Sequence, residues 1–339
     1  MISRILFLLI LMLPVICPAQ DEDTQPASVE VSEEPEEQAR DGDGALDRHK
    51  ELVDTQVQRV AQWVDSFFSD PNFEAESANT LLRIRPELYY RKEDGLDGRL
   101  RARVKFVLPN MSRKTSLIIG SDDAVDGFGE NVDDSARESI VGLQFFGRQT
   151  ERWNTSLSLG LRFNEFAAYI GPRVRYLYPW GERKSISFTQ AIRYQSNSYW
   201  NTISRLDFNF ILGQKYFFRQ TFDGRWRGEK SDEEGFRTRI SSILTQRLGK
   251  GAGLQYDFST IIHTRPETQV DSYTLALRYR KRTKREWLYY EIVPQVSFDH
   301  EYDYKFNPGI RLRVEFFYGA DSSAKFWKRE HEDDEDFRW

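Results

Sequence analysis

The chain has 339 residues, of which 39% are hydrophobic, 30% are charged and 14% are aromatic, and its formal net charge is −5. Its mean hydropathy is −0.64. Beyond the N-terminus it has no apolar run of about 18 residues, so membrane-spanning helices are excluded. The single cysteine, Cys17, lies near the N-terminus, and if this segment is removed, disulfides, thiol catalysis and cysteine-based metal sites are excluded as well.

Residues 1–19 have the features of a secretory signal peptide. Arg4 provides a positive charge, and residues 5–16 form an apolar core that is too short to span a bilayer. The small residues Cys17 and Ala19 predict cleavage before Gln20. A lipoprotein signal is disfavoured, because Ile16 stands where such signals need a small residue.

Residues 20–47 are strongly acidic and contain almost no large apolar residue. Such a segment buries too little surface to offset the entropy of ordering it, so we expect it to be disordered.

Residues 48–70 predict one amphipathic helix. Val53, Val57, Val60, Val64 and Phe67 recur at helical spacing, and the proline at position 71 ends the pattern. Three interpretations stay open: a helix that packs against the main domain, a helix that self-associates, and a segment that plugs that domain.

From residue 80 onward the hydrophobic pattern has a period of two. Between Trp153 and Phe163, and again between Ile310 and Tyr318, apolar residues alternate with mostly polar ones, as in strands with one apolar and one polar face. About fourteen strands are predicted, within a range of 12–16. They start near residues 80, 98, 113, 138, 152, 167, 184, 200, 214, 235, 252, 271, 286 and 308.

The predicted strands and their connections favour a membrane barrel over a soluble sandwich. Most strands have about 9–14 residues, enough for a tilted strand to cross a bilayer, whereas strands in globular proteins average about 5–6. The even-numbered connections are short, as at residues 249–251, and the odd-numbered ones include long segments such as residues 121–138. This alternation predicts short periplasmic turns, longer outer loops and two periplasmic termini.

Aromatic residues gather at the predicted strand ends, as in the two interfacial girdles of a membrane barrel. The predicted periplasmic girdle consists of Trp153, Tyr178, Trp180, Tyr216, Trp287 and Tyr318, and the opposite girdle of Tyr90, Tyr194, Tyr199 and Trp200.

These features together resemble the porin-like class of bacterial outer-membrane β-barrels over residues 80–318. The resemblance implies a closed antiparallel transmembrane β-barrel in the cell outer membrane, surrounded by its lipid. Barrels of this class often end in an aromatic residue that the barrel assembly machinery reads, and Phe316 and Tyr318 fit that role. Here the chain continues into an acidic segment, residues 319–339, which we expect to be a solvated periplasmic tail.

The polar faces of the predicted strands are rich in basic residues. Their positions along the strands predict that the following basic residues point into the barrel: Arg83, Arg85, Arg101, Arg103, Lys105, Arg162, Arg173, Arg175, Arg193, Arg205, Arg219, Arg237, Arg239, Arg278, Arg280, Arg311 and Arg313. The acidic residues placed inward are Glu87, Asp207, Asp257, Glu291 and Glu315. Because the first and last strands are neighbours in a closed barrel, one wall is predicted to be strongly basic.

Two functions follow from this wall. In the first, the arginines lower the barrier for small anionic solutes, since guanidinium groups suit carboxylates and phosphates. In the second, salt bridges and acidic terminal segments close the lumen, and the barrel is a structural or assembly protein that binds periplasmic partners through residues 48–70 and its tails.

An enzyme is a third alternative. His263 and His300 are predicted near the outer rim, with Ser259 and Asp299 nearby in sequence, but no hydrolase motif accompanies them. The basic turn at residues 281–285 lies beside the predicted membrane, so lipid headgroups suit it better than nucleic acid. The sequence predicts no catalytic residue, metal or cofactor.

Overall fold

The computed structural model describes residues 60–68, 81–107, 115–121, 139–150, 152–163, 166–197, 199–228, 230–285 and 287–319. These residues form one helix, α1 (residues 60–67), a 3-10 turn at His300–Tyr302, and fourteen strands. The strands are β1 (Leu81–Arg91), β2 (Gly95–Val107), β3 (Thr115–Ser121), β4 (Ser139–Gln149), β5 (Trp153–Arg162), β6 (Ala167–Pro179), β7 (Lys184–Gln195), β8 (Tyr199–Leu212), β9 (Tyr216–Arg227), β10 (Phe236–Gly249), β11 (Ala252–His263), β12 (Gln269–Arg282), β13 (Leu288–Asp299) and β14 (Phe306–Gly319).

Each strand pairs with its sequence neighbours, and β1 pairs with β14, so the sheet closes into a barrel. The closing pair is antiparallel and in register from Leu81 opposite Gly319 to Arg91 opposite Gly309. The predicted closed antiparallel barrel of about fourteen strands is therefore confirmed. No strand starts more than three residues from its predicted position, because the period-two pattern changes phase sharply at the turns.

Burial alternates along the strands and separates two faces. In β6, for example, Ala167, Tyr169 and Arg173 are buried, whereas Ile170 and Val174, at positions of the opposite parity, are exposed. The buried positions face the lumen and the exposed ones face outward. Apolar side chains around the whole outer surface would cost free energy in water and fit the hydrocarbon of a bilayer, so the barrel is of the outer-membrane type, as predicted.

We call the end at which β1 begins and β14 ends the proximal end, and the opposite end the distal end. Apart from residues 108–114, which lie outside the described part of the chain, the connections at the proximal end are short. The shortest consists of residues 250–251 between β10 and β11, and Gly249 and Gly251 have positive φ. At the distal end, residues 228–235 and 300–305 form longer connections, but residues 92–94 and 163–166 are as short as the proximal turns. The difference in connection length is thus smaller than the sequence predicted.

Within the described part of the chain, no helix is long and apolar enough to cross a membrane. Of the helix predicted at residues 48–70, residues 60–67 are helical, and residues 48–59 and 69–70 lie outside the described part. The predicted signal peptide, the acidic segment at 20–47 and residues 320–339 also lie outside it.

Candidate functional site

The basic residues predicted for the lumen lie at the inward positions of their strands. Arg83, Arg85, Arg103, Lys105, Arg162, Arg173, Arg280 and Arg313 are buried, and Arg101, Arg175, Arg205, Arg278 and Arg311 are partly buried. Some of their contacts skip a strand: Lys105 of β2 donates from Nζ to Oε1 of Gln144 in β4 at 3.1 Å. Such contacts form on the concave inner face of a barrel, where side chains converge.

Carboxylates cross-link the arginine wall at the seam between the first and last strands. Glu315 of β14 accepts from Arg280 of β12 at 2.8 Å and lies 3.4 Å from Nε of Arg83 and 3.3 Å from Nε of Arg85, both on β1. Since the side chain of Glu315 is only 2% exposed, these pairs are shielded from water and salt. The wall that the sequence predicts to be strongly basic is thus partly neutralised.

A second carboxylate extends the same network. Glu291 of β13 lies 3.3 Å from Arg280 and 3.3 Å from Arg313, and Arg313 also pairs with Glu87 of β1 at 2.8 Å. The network therefore spans β12, β13, β14 and β1, and it bridges the seam in both directions.

A cavity of about 110 Å³ lies beside this network. Among the described residues, six arginines and three acidic residues line it, together with serine, threonine, glutamine and apolar side chains. The arginines are Arg91, Arg99, Arg101, Arg239, Arg278 and Arg311, and the acidic residues are Glu87, Asp257 and Asp299. By formal charge, the lining carries more positive than negative groups.

One wall of the cavity is built around Tyr89. Its ring lies 5.2 Å from the guanidinium of Arg91 and 5.6 Å from that of Arg311. Gln295 donates to the Tyr89 hydroxyl at 3.1 Å and accepts from Arg311 at 3.4 Å. These contacts hold the ring and both arginines in place on this wall of the cavity.

Helix α1 lies inside the barrel at its proximal end. Val60, Trp63, Val64, Phe67 and Phe68 are all less than 5% exposed. They form one apolar cluster with three inward residues of the barrel that flank the proximal turns: Ile211, Phe217 and Tyr289. The apolar stripe predicted from helical spacing is thus buried against the inner wall. The described contacts match a helix that packs against the main domain, and because the contacted wall is the inner one, they match the plug as well.

A glycine makes room for the plug. Gly253 occupies an inward position on β11, and a Cβ atom there would lie 2.7 Å from Phe67 and 3.1 Å from Phe68. Nearby, the guanidinium of Arg280 lies 5.8 Å from the Phe67 ring, and that of Arg247 lies 5.7 Å from the Trp63 ring. The helix therefore meets the barrel wall closely on several consecutive strands.

Asp65 of α1 forms an ion pair with the barrel wall. It accepts from Nη1 and Nη2 of Arg219 in β9 at 2.5 and 3.1 Å, while Nε of Arg219 donates to Asn209 of β8 at 2.7 Å. A bidentate pair of this kind fixes both position and orientation. Strand parity could place Arg219 inward, but no residue pattern indicated that its partner lies in the helix.

Arg278 connects the plug to the cavity. Its guanidinium lines the cavity and donates to the backbone carbonyl of Phe68, just after α1, at 3.5 Å. Its Nε also lies 3.6 Å from Glu291. Arg278 is therefore shared between the lining of the cavity and the contact with the residue that follows the helix.

The lumen holds more carboxylates than the sequence analysis placed there. Asp223 and Asp299 were not among the acidic residues predicted to point inward, but β9 continues to Arg227 and β13 to Asp299. Asp223 accordingly pairs with Arg225 at 2.9 Å, and Asp299 lies 3.7 Å from Arg91. The alternation continues past the point where polar residues suggest a loop.

Tyr90, Tyr178, Tyr194 and Tyr216, which the sequence predicts for the girdles, are exposed near the strand ends. Trp153, Trp180, Trp200 and Tyr318 are 39–54% exposed, and Trp287 stacks on Phe316 and Tyr318 with ring centroids 6.0 and 5.3 Å apart. Both ends of the barrel therefore carry aromatic side chains on the outer surface, at depths suited to the membrane interface.

The rim histidines have separate local roles. His263 Nδ1 contacts a carboxylate oxygen of Asp271, and His300 packs edge-on against Tyr304. Ser259 lies four residues along β11 from His263, which is roughly 13 Å in an extended strand and beyond hydrogen-bond reach. This geometry does not assemble the serine–histidine pair of a rim hydrolase.

Comparisons with known proteins find similarity to solved structures at low identity. No protein-family model matches it, and no curated protein does. Similar solved structures include the NanC porin (9% identity, TM-score 0.38, covering 69% of this chain and 98% of that chain) and an anion-selective porin from Comamonas acidovorans (10%, 0.43, 70% and 98%). A bacterial polysaccharide outer membrane secretin is also similar (12%, 0.45, 70% and 98%). Similarity at this level carries no argument, and the assignment as an outer-membrane-type β-barrel depends on the strand order and the two faces of the wall.

Proposed function

We propose that the chain forms an outer-membrane channel for small anionic solutes, and that α1 closes its proximal mouth in the state described here. The observation that carries the proposal is the cavity, where six arginines outnumber three carboxylates. Guanidinium groups bind carboxylates and phosphates through paired hydrogen bonds. Organic acids, acidic sugars and phosphorylated compounds are the corresponding solute classes.

The buried position of α1 in the proximal mouth supports a gated channel rather than a permanently open one. Burying five apolar side chains contributes on the order of 10 kcal/mol before the entropy of ordering the helix is subtracted. The ion pair between Asp65 and Arg219 adds a directional contact. Passage through the proximal mouth then requires α1 to move, and we place that mouth in the periplasm.

Planar-bilayer recording of the refolded chain from residue 20 onward tests this proposal. We expect rare openings from that chain, and frequent anion-selective steps from a variant lacking residues 20–70. A variant lacking only residues 20–47 is the matched control, because it removes the acidic segment and keeps α1; it should behave as the parent chain. A reversal potential that indicates cation selectivity would contradict the role of the arginines.

A second candidate function is a plugged structural or assembly barrel that binds periplasmic partners through its N-terminal region and tails. The burial of Trp63, Phe67 and Phe68 inside the lumen favours it, since these residues fill the mouth that a solute needs. The same recording separates the two functions. A variant lacking residues 20–70 that inserts into the bilayer without conducting would support the structural role.

The selectivity of the cavity can be tested with single substitutions. Replacing Arg101 or Arg311 with glutamate should shift the reversal potential of the helix-deleted channel toward cations, because each change reverses one charge in the cavity lining. Arg265→Glu is the matched control. Arg265 lies in a distal connection with its side chain 57% exposed, so the same charge change there should leave selectivity unaltered.

A further inference from the structure

The two ends of the barrel carry opposite charge on their exposed connections. At the proximal end, exposed basic residues occupy the turns or the adjoining strand ends: Arg148, Arg152, Arg183, Lys184, Lys215, Lys250, Lys284 and Arg285. Within the described turns at this end, Glu182 is the exposed acidic residue. We call these eight basic residues the proximal basic rim.

The distal connections show the reverse pattern. Their described acidic residues are Glu93, Asp94, Asp232, Glu233, Glu234, Glu267, Glu301 and Asp303, and their described basic residues are Lys92, Lys230, Arg265 and Lys305. The chain as a whole is acidic, so the proximal basic rim is a local feature of one end rather than a result of overall composition.

The proximal basic rim lies directly beside the aromatic girdle. Nζ of Lys184 lies 5.4 Å from the Trp180 ring, and the guanidinium of Arg285 lies 5.3 Å from the Trp287 ring. Tryptophan prefers the depth of lipid headgroups in a bilayer, so these cation–π pairs hold a positive charge at that same depth.

We propose that the proximal basic rim binds the phosphate headgroups of anionic glycerophospholipids. Its charges are spread over five turns around the barrel, which suits a planar lipid surface better than one compact ligand. They are also coupled to outward-facing tryptophans, whereas the anion cavity lies inside the lumen. Basic residues near an anionic lipid surface each contribute about 1 kcal/mol to binding, or roughly fivefold in affinity.

An acidic segment of the chain itself is a second candidate to bind the proximal basic rim. Residues 320–339 are acidic and follow β14 at the proximal end, so they start next to the rim. The lipid is favoured because the rim surrounds the barrel and is paired with the girdle, but the experiment must separate the two occupants.

Native mass spectrometry of the full chain released from nanodiscs tests the proposal. The nanodiscs contain phosphatidylcholine alone or mixed with phosphatidylglycerol, and the lipids retained per barrel are counted. The test variant combines Arg183→Gln, Lys184→Gln, Lys284→Gln and Arg285→Gln. The matched control combines Lys92→Gln, Lys230→Gln, Arg265→Gln and Lys305→Gln, which removes four basic residues from the distal end.

We expect the parent chain and the distal control to retain phosphatidylglycerol in preference to phosphatidylcholine. The proximal variant should lose that preference by about tenfold or more. Equal losses in the two variants, or no preference in the parent chain, would overturn the proposal. Preference that appears only after residues 320–339 are deleted would also overturn it and assign the rim to the tail. Heat-modifiable gel migration confirms that each variant is a folded barrel.

Discussion

Asp65 of α1 and Arg219 of β9 form a bidentate ion pair, at 2.5 and 3.1 Å, between residues that are 154 positions apart in the sequence. The pair is an ionic link between a short helix and a barrel wall, and it adds to the apolar cluster, the cation–π contacts and the hydrogen bond from Arg278 to the Phe68 carbonyl. Because both side chains are mostly buried, with exposures of 18% and 8%, its loss leaves a guanidinium without its carboxylate inside the lumen.

Asp65→Asn should therefore weaken the plug. Hydrogen bonds to charged groups contribute about 1.5–3 kcal/mol, so we expect channel openings to become roughly ten to a hundred times more frequent. Single-channel recording of the chain from residue 20 onward measures this directly. Asp303→Asn removes the same charge from an exposed distal position, 88% exposed, and should leave the opening frequency unchanged. Equal opening frequencies in the two variants would show that the ion pair does not hold the helix.

Gly253→Ala should displace α1 without unfolding the barrel. The added Cβ would lie 2.7 Å from Phe67 and 3.1 Å from Phe68, and overpacking of this kind costs about 1–3 kcal/mol. Gly98→Ala is the matched control, since a Cβ there meets its nearest neighbours at an ordinary 4.0 Å.

Thiol labelling provides the measurement for this pair. With Cys17 outside the chain from residue 20 onward, Val64→Cys introduces a single thiol at a position 3% exposed. We expect slow labelling by a water-soluble maleimide, faster labelling when Gly253→Ala is added, and no change with Gly98→Ala. Fast labelling before either glycine is changed would mean that the helix does not rest inside the lumen.

Glu315→Gln should destabilise the barrel at its seam. The carboxylate forms ion pairs with Arg83, Arg85 and Arg280. Removing one partner of a buried charge network costs about 3–5 kcal/mol. The free energy of unfolding from urea titration in detergent micelles should fall by about that amount. Glu267→Gln, in an exposed distal connection, should change it little. Adding salt to the parent chain should not lower its free energy of unfolding by a similar amount, because buried ion pairs are weakly screened.

Tyr302 should lose its hydroxyl proton at a higher pH than an ordinary tyrosine. Its hydroxyl donates to Asp94 at 2.7 Å, and this hydrogen bond raises the pKa of Tyr302 to about 12. A raised pKa means that the contact is fully present below the unfolded value of about 10 and is lost as the pH rises through about 12. The difference in phenolate absorbance between the parent chain and Tyr302→Phe should be centred near that higher pH. A difference centred near pH 10 would show that the two distal connections are not joined by this bond.

The wall of the barrel was predictable from sequence because its signal is local. An apolar residue at every second position, as from Trp153 to Leu161, determines both the strand and its two faces. The same parity places Arg83 and Arg313 inward without knowledge of their partners. Strand ends were less predictable: Asp299 was not among the acidic residues predicted to point inward, although pairing with the neighbouring strand extends β13 to that residue.

The contents of the lumen were not predictable in the same way. The apolar stripe of Val60, Val64 and Phe67 predicted a helix, but the spacing of apolar residues does not predict which surface of the protein the stripe packs against. The inner wall that receives the helix is assembled from residues on β8, β9 and β13, which are far from it in sequence. A small residue such as Gly253 becomes informative only once the strands are placed beside each other.

The position of α1 also orders the events of assembly. The helix precedes β1, yet Asp65 and Phe68 contact residues 154 and 210 positions further along the chain. The surface that holds the helix does not exist until β8 to β13 have paired, and contacts between such distant residues form late because long loops must close first. We therefore expect α1 to dock late in biogenesis, after a stage in which the barrel has closed but the helix does not yet fill its proximal mouth.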